Sequence, residues 1–298
     1  MALYKCIDLS NSESESINAQ AKTVSPIFSA QEVTPDSGYN ALSSVTVKAI
    51  PVSEEANDYG GNTLTVGEEG STTDDILKTF IQDGTLSSIP ADVTSIGKYA
   101  FYYRTNIAFT SLPSGITSIG EHAMQYCENL VLTNLPSGLT SIGGYAFYGC
   151  SNLALVSLPD KLTSIGYEAF GYCSNLALVS LPPGLTQINS STFEHCEKLA
   201  LTSLPEGITN ISPSAFYSCS GLALTSLPDG VKTINRNAFY NCTGLTSITF
   251  KGTPTTVESN AFGNCTNLTD IYVPWSEGAV ANAPWGATNA TIHYDSTV

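Results

Sequence analysis

Basic side chains are few in this chain: 11 Lys and Arg stand against 26 Asp and Glu, for a formal charge of −15 over 298 residues. Such a balance argues against nucleic-acid phosphates or an anionic membrane as partner. Of these charges, 14 acids but only 4 bases fall in residues 1–95. The remainder is nearly uncharged for its length and suits recognition by shape and hydrogen bonding. No run approaches the roughly 20 apolar residues that span a bilayer, which excludes membrane insertion by a helix. Histidine occurs three times, at widely separated positions, and no Cys-x-x-Cys pair occurs, so neither a metal site nor a redox cofactor is expected. Gly-rich phosphate loops and serine elbows are missing too. No catalytic residue is assigned, and no enzyme activity is expected. The first residues, Met1 to Cys6, lack the basic and apolar blocks of a secretory signal.

What the chain does have is a period. Leu-Pro recurs at Leu112, Leu135, Leu158, Leu181, Leu204 and Leu227, always 23 residues apart. Ile96, Ile119, Ile142, Ile165, Ile188, Ile211 and Ile234 keep the same step, with Val257 in the eighth place. The aromatic of Ala-Phe follows at Phe101, Phe147, Phe170, Phe193, Phe216, Phe239 and Phe262, with Met124 in one slot. A period of this size, free of insertions, predicts a repeat solenoid in which every coil stacks alike.

Within one coil, Leu153, Val156 and Leu158 read as one short strand, and Leu162 and Ile165 as a second. Pro159-Asp160 makes the bend between them, and Gly166 ends the second. Tyr167 to Cys173 fits a single helical turn with Ala169, Phe170 and Cys173 on one side. The expected fold is therefore β-rich with short helical turns and about eight coils, a rod roughly 40 Å long at the usual strand spacing.

The consensus Asn-Leu-x-x-Val-x-Leu-Pro-x-x-Leu-Thr-Ser-Ile-Gly-x-x-Ala-Phe-x-x-Cys closely resembles the BspA-type leucine-rich repeat, also called the Treponema pallidum type, over residues 87–273. The resemblance implies a right-handed solenoid with a parallel sheet on one face. It also implies a surface or secreted protein that adheres to host proteins or cells.

Seven cysteines, Cys127, Cys150, Cys173, Cys196, Cys219, Cys242 and Cys265, share one place in the repeat, which Arg104 takes in the first coil. Parallel Cβ vectors in such a ladder disfavour disulfides. Buried free thiols acting as small hydrophobes are expected. Glu194-His195-Cys196-Glu197 sets a base beside a thiol, but Cys196 holds the core slot and His195 points elsewhere.

Two faces are candidates for a partner. Strand alternation sends Val156 and Leu158 inward and Leu155 and Ser157 outward. Phe109, Leu132, Leu155, Leu178, Leu201 and Leu224 then form an exposed stripe about 24 Å long, flanked by serines such as Ser157 and Ser180. Four coils carry Thr in the supposed core slot, at Thr110, Thr133, Thr202 and Thr225. A local bulge that turns the leucines inward is equally compatible with the pattern. The second face lies on the turns and carries ten tyrosines, among them Tyr102, Tyr148, Tyr172, Tyr217 and Tyr240. Tyrosine beside small polar residues is a mix favoured in paratopes.

The organisation reads as a mobile tail (1–20), a small β-rich attachment module (21–70), a capping helix (71–88), the solenoid (89–273) and a C-terminal cap (274–298). In the module, Ser44 to Ile50 alternates as a strand. The cap would bury both tryptophans, Trp275 and Trp285. Gln31 to Ile50, and the end from Val273 to Tyr294, resemble segments of phage and prophage tail-associated proteins. That resemblance implies a virion setting, with an amino-terminal module that attaches to a larger assembly or oligomerises. The expected function is adhesion or receptor binding, to a protein or a surface glycan, from a phage tail or from a cell surface.

Overall fold

A computed structural model describes residues 88–296, apart from positions 90, 92, 106 and 108, together with the backbone of three strands nearer the amino end. Those strands, β1 (Leu3–Cys6), β2 (Thr46–Ile50) and β3 (Asn62–Thr65), pair antiparallel in sequence order. β1 lies inside the stretch expected to be a mobile tail, where its backbone pairs with β2 from Leu3↔Ile50 to Cys6↔Val47. The other positions of that tail, and the capping helix up to residue 87, lie outside the described residues.

The solenoid begins with β4 (Ser95–Ile96), antiparallel to β3. β5 (Ser118–Ile119), β6 (Ser141–Ile142) and β7 (Ser164–Ile165) follow in a parallel ladder, each residue opposite its equivalent 23 positions on. β8 (Gln187–Ile188), β9 (Asn210–Ile211), β11 (Thr233–Ile234) and β13 (Thr256–Val257) form a second ladder of the same kind. In each rung the Ile or Val is buried while the polar residue before it stays at least partly exposed. The ladder is interrupted between β7 and β8, where the run of glycines after the strand ends. A Cβ on Gly120, Gly143 or Gly166 would lie 2.3–2.7 Å from backbone of the preceding coil, so only glycine permits this approach. Asn189 is the first side chain in that column, and its amide donates to the Ile165 carbonyl at 2.6 Å.

The leucine stripe does not face solvent. Phe109, Leu132, Leu155, Leu178, Leu201 and Leu224 are all buried, and Val156 and Val179 are 54% and 56% exposed instead. The two apolar residues that each central coil must bury, such as Leu155 and Leu158, are three apart, and a pleated strand buries every second residue. The chain therefore bends at Val156 and turns both leucines inward, as the bulge alternative has it. Where the spacing is two, as in Ile248 and Phe250, a regular strand does form: β12 (Ser247–Phe250). It pairs in parallel with β10 (Ser226–Leu227) and β14 (Asp270–Tyr272), and β15 (Thr291–His293) closes the row.

The expected helical turn is also replaced. In Glu121 to Cys127, alternate amides point along the solenoid: His122, Met124 and Tyr126 donate to the carbonyls of Gly144, Ala146 and Tyr148 at 2.7–2.8 Å. The amides between them close tight turns, as Cys127 does onto Met124 at 3.1 Å. A helix would spend every amide inside its own coil and leave the next coil unpaired. The alternation puts two residues per coil in the left-handed region, for example His122 and Tyr126, Glu168 and Tyr172, and Asn237 and Asn241, with φ of 52–59°.

Phe147, Phe170, Phe193, Phe216, Phe239 and Phe262 stack 5.0–5.8 Å apart, within 9° of parallel, through the middle of the core. Beside them the seven thiols are free and buried. Each donates to the carbonyl of the residue just after the alanine slot of the preceding coil's turn segment: Cys173 to Phe147 and Cys196 to Phe170, both at 3.0 Å. The cysteines are thus small apolar side chains that also satisfy a backbone acceptor.

At the far end Trp275 and Trp285 pack edge-on and tilted against Phe250, with centroids 5.3 and 5.8 Å away. The Trp285 carbonyl receives the Phe262 amide at 2.9 Å, where a further coil would have supplied the acceptor. Asp270 accepts from His293 at 2.7 Å and from Thr269 at 2.8 Å. These two bonds, His293 first, hold the Asp270 carboxyl below its ordinary range. A lowered value stabilises the end segment above the ordinary carboxylate pKa, and that contribution is lost as pH falls through the folded value. Carboxyl NMR titration is expected to place Asp270 below a free aspartate, and His293→Ala to move it back up. An unchanged midpoint in that variant would show that the contact does not hold the charge.

Candidate functional site

Two neighbouring columns of the turn face build the surface. One holds Tyr103, Tyr126, Gly149, Tyr172, His195, Ser218 and Asn241, and the other Tyr102, Gln125, Tyr148, Gly171, Glu194, Tyr217 and Tyr240. The rings alternate between columns and touch from coil to coil. Centroid separations are 4.4 Å for Tyr103–Tyr126, 5.4 Å for Tyr126–Tyr148, 5.2 Å for Tyr148–Tyr172 and 4.6 Å for Tyr172–His195. His195–Tyr217 at 5.6 Å and Tyr217–Tyr240 at 5.1 Å complete an aromatic ribbon across seven coils.

Glycine seats the rings. A Cβ on Gly149 would lie 2.7 Å from the Tyr126 ring, and one on Gly171 would lie 2.8 Å from Tyr148. Each tyrosine therefore rests on the glycine that holds its own place one coil later. Gly149 also has φ of +72°, a further reason for glycine there. Between Tyr126, Tyr148 and Tyr172 an open groove of about 400 Å³ remains, floored by Gly149 and edged by Glu128 and Ser151. Tyr126 and Tyr148 meet edge to face, at 86°, so the rings are splayed instead of stacked here.

A second aromatic row runs alongside. His122 is sandwiched between Tyr99 and Tyr145, at 4.5 and 4.8 Å. The Tyr145 hydroxyl donates to Glu168 at 2.7 Å. Tyr167 crosses a whole coil to donate to Glu121 at 2.6 Å, and Lys98 holds the other oxygen of that carboxylate. The acidic neighbours leave their mark on the phenols. Glu168 raises the Tyr145 pKa, while burial and then the neighbouring Tyr126, Tyr172, Glu168 and Glu194 push Tyr148 up to about 12. Tyr172 is raised by burial, Glu194 and Glu168.

The repeat seen here is also found by comparison. A family model described as the BspA type leucine rich repeat region matches residues 82–200 and 186–281, in six copies. The chain belongs to the BspA-type leucine-rich repeat family. Among solved structures, a Treponema pallidum leucine-rich repeat protein is 28% identical, with TM-score 0.48, over 61% of this chain and 86% of that one. A leucine-rich cell-surface protein of Faecalibacterium prausnitzii is 23% identical over 72% of each chain, with TM-score 0.40. The pneumococcal vaccine antigen PcpA is 17% identical, covering 71% of this chain and 68% of that one, with TM-score 0.40. No curated protein matches the chain.

Within this BspA-type solenoid, Tyr102, Tyr148, Tyr172, Tyr217 and Tyr240 come together on the ribbon or at its edge. Ser157 and Ser180 are exposed beside Val156 and Val179, in the bend segment and not in the turn segment. The ribbon also recruits His195, which the one-dimensional reading set aside as a stray base. Its signal was the column: His195 lies 23 residues after Tyr172, in the place that also holds Tyr103 and Tyr126. Cys196 is buried and its thiol is engaged by Phe170, so the pair does not act as a nucleophile and base. Among the described residues no cluster of three or more His, Cys, Asp or Glu side chains is placed to hold a metal ion.

Proposed function

We propose that this chain is a non-enzymatic adhesion or receptor-binding protein that presents the turn face of its solenoid to a protein partner at an exterior surface. The aromatic ribbon carries the proposal. Seven rings on a scaffold tied together by backbone bonds offer large amphipathic contact area at little cost in side-chain entropy. Family membership supports the setting of a BspA-like surface adhesin that meets host proteins. The likeness of Gln31 to Ile50 and of the end segment to tail-associated proteins supports a phage tail instead, with bacterial surface molecules as partners. Tail and baseplate genes beside this gene would favour the second setting, and their absence would remove it.

Immobilised full-length chain should be challenged with mammalian matrix proteins and with bacterial envelope fractions. Capture from one of these sources is expected, reduced by Tyr172→Asn with Tyr217→Gln and retained by Val156→Ser with Val179→Ser. Asn and Gln are residues the chain itself uses in those columns, at Asn241 and Gln125, so the ribbon changes leave the backbone undisturbed. Capture lost in the valine pair and kept in the tyrosine pair would move the site to the bend segment.

A further inference from the structure

The groove between Tyr126, Tyr148 and Tyr172 has a chemistry of its own. Its only charged lining residue is Glu128, at the rim, and Ser151 is its other polar side chain. Glu168 and Glu194 lie close enough to act on both Tyr148 and Tyr172. The three rings that line the groove, each with a negative potential over its face, therefore sit in a field set by carboxylates. Two lysines of the turn segments and their corners are already engaged: Lys98 with Glu121, and Lys198 with Asn175 at 2.6 Å. His195 flanks the far side of Tyr172 and stacks on it.

Building on the proposed role of the turn face in partner contact, we propose that this groove is a receptor for a cationic side chain, and that the protein partner engages it with an extended segment rich in Lys or Arg. An ammonium or guanidinium over tyrosine rings gains from the ring quadrupole, and more so when carboxylates border the site. An extended peptide presents same-face side chains about 6.8 Å apart, more than the roughly 5 Å step between coils, so one cationic side chain occupies the groove and the flanking residues lie over the neighbouring coils. A neutral sugar would also stack on tyrosines, but it draws nothing from the surrounding carboxylates.

The test uses the full chain and three probes: a synthetic peptide alternating Lys with Ser, the same peptide with Glu for Lys, and a neutral gluco-oligosaccharide. The Lys peptide is expected to bind, more weakly as salt is raised, while the Glu peptide does not. Tyr172→Asn and Glu128→Gln are each expected to weaken it by about fivefold, a typical cation–π or exposed-charge effect, without shifting the unfolding midpoint. Binding of the Lys peptide that is absent, or present but indifferent to both substitutions, overturns the proposal. Oligosaccharide binding lost in Tyr172→Asn and kept in Glu128→Gln would reassign the groove to a glycan. Failure here leaves a distinct mark. If Tyr172→Asn with Tyr217→Gln still abolishes capture of the natural partner while the Lys peptide does not bind, the adhesive face stands and only its cationic chemistry falls.

Discussion

Leu178→Ala is expected to lower the urea midpoint of the solenoid sharply, by an amount equivalent to about 2–5 kcal/mol, whereas Val179→Ala changes it by no more than about 0.5 kcal/mol. The two residues are adjacent, yet Leu178 is fully buried and Val179 is among the most exposed apolar residues described. Removing the Leu178 side chain opens a cavity bounded by Leu155 and Leu201, its equivalents in the coils on either side. The packed neighbours cannot collapse into that space without pulling the inter-coil bonds of Ala177 and Ala200 out of register, 3.0 Å each. Because stability in a solenoid is a sum of coils and their interfaces, the loss falls on two interfaces at once. Equal effects of the two substitutions, or a larger effect at Val179, would mean that the bend at Val179 does not exist in solution and that the leucine stripe faces solvent after all.

The seven ladder thiols are expected to be silent toward alkylating reagents in the native protein and to react fully once it is unfolded. Burial pushes Cys127 up to about 12 and Cys265 up to about 11, and it raises the five thiols between them as well. For Cys127 at pH 8 this alone cuts the reactive thiolate by roughly a thousandfold relative to a free cysteine, before access is counted. The same shift has a consequence for stability, since a raised folded pKa means that the native state keeps a proton the unfolded chain gives up. The stabilisation is complete below the ordinary thiol pKa near about 8.5, and it is lost as pH rises toward the folded values. Unfolding midpoints should therefore fall steeply above about pH 9. Rapid labelling of any ladder cysteine under native conditions, with the eighth, Cys6, accounted for by mass mapping, would contradict the buried ladder.

Much of this surface is legible in the sequence, because the period aligns the coils. Once Ile142, Phe147 and Cys150 are assigned to one coil, every other coil inherits the assignment. The pairing of tyrosine with glycine 23 residues later, as in Tyr126 with Gly149 and Tyr148 with Gly171, is also written in the chain. It becomes meaningful only when coils are known to stack in register. Harder to read was the turn segment. A run such as Tyr167 to Cys173 has helical spacing, but helical propensity weighs a segment alone, and here the neighbouring coil claims every second amide. Tyr, Glu and Ser consequently occupy left-handed positions, at about 1–2 kcal/mol each, against inter-coil hydrogen bonds that a helix would forgo.

Sequence alone determined the 23-residue beat, the identity of the core columns in Ile, Phe and Cys, and the scarcity of basic charge, since each is a property of residues counted along one dimension. Which of two adjacent apolar residues faces water was decided only in three dimensions. Leu155 and Val156 are both apolar and both compatible with a strand. The choice turns on the three-residue spacing from Leu155 to Leu158, on a core that both must reach, and on a backbone free to bend between them. The aromatic ribbon and its acidic groove likewise exist only between coils, where rings far apart in the chain come within about 5 Å, close to the parallel strand spacing.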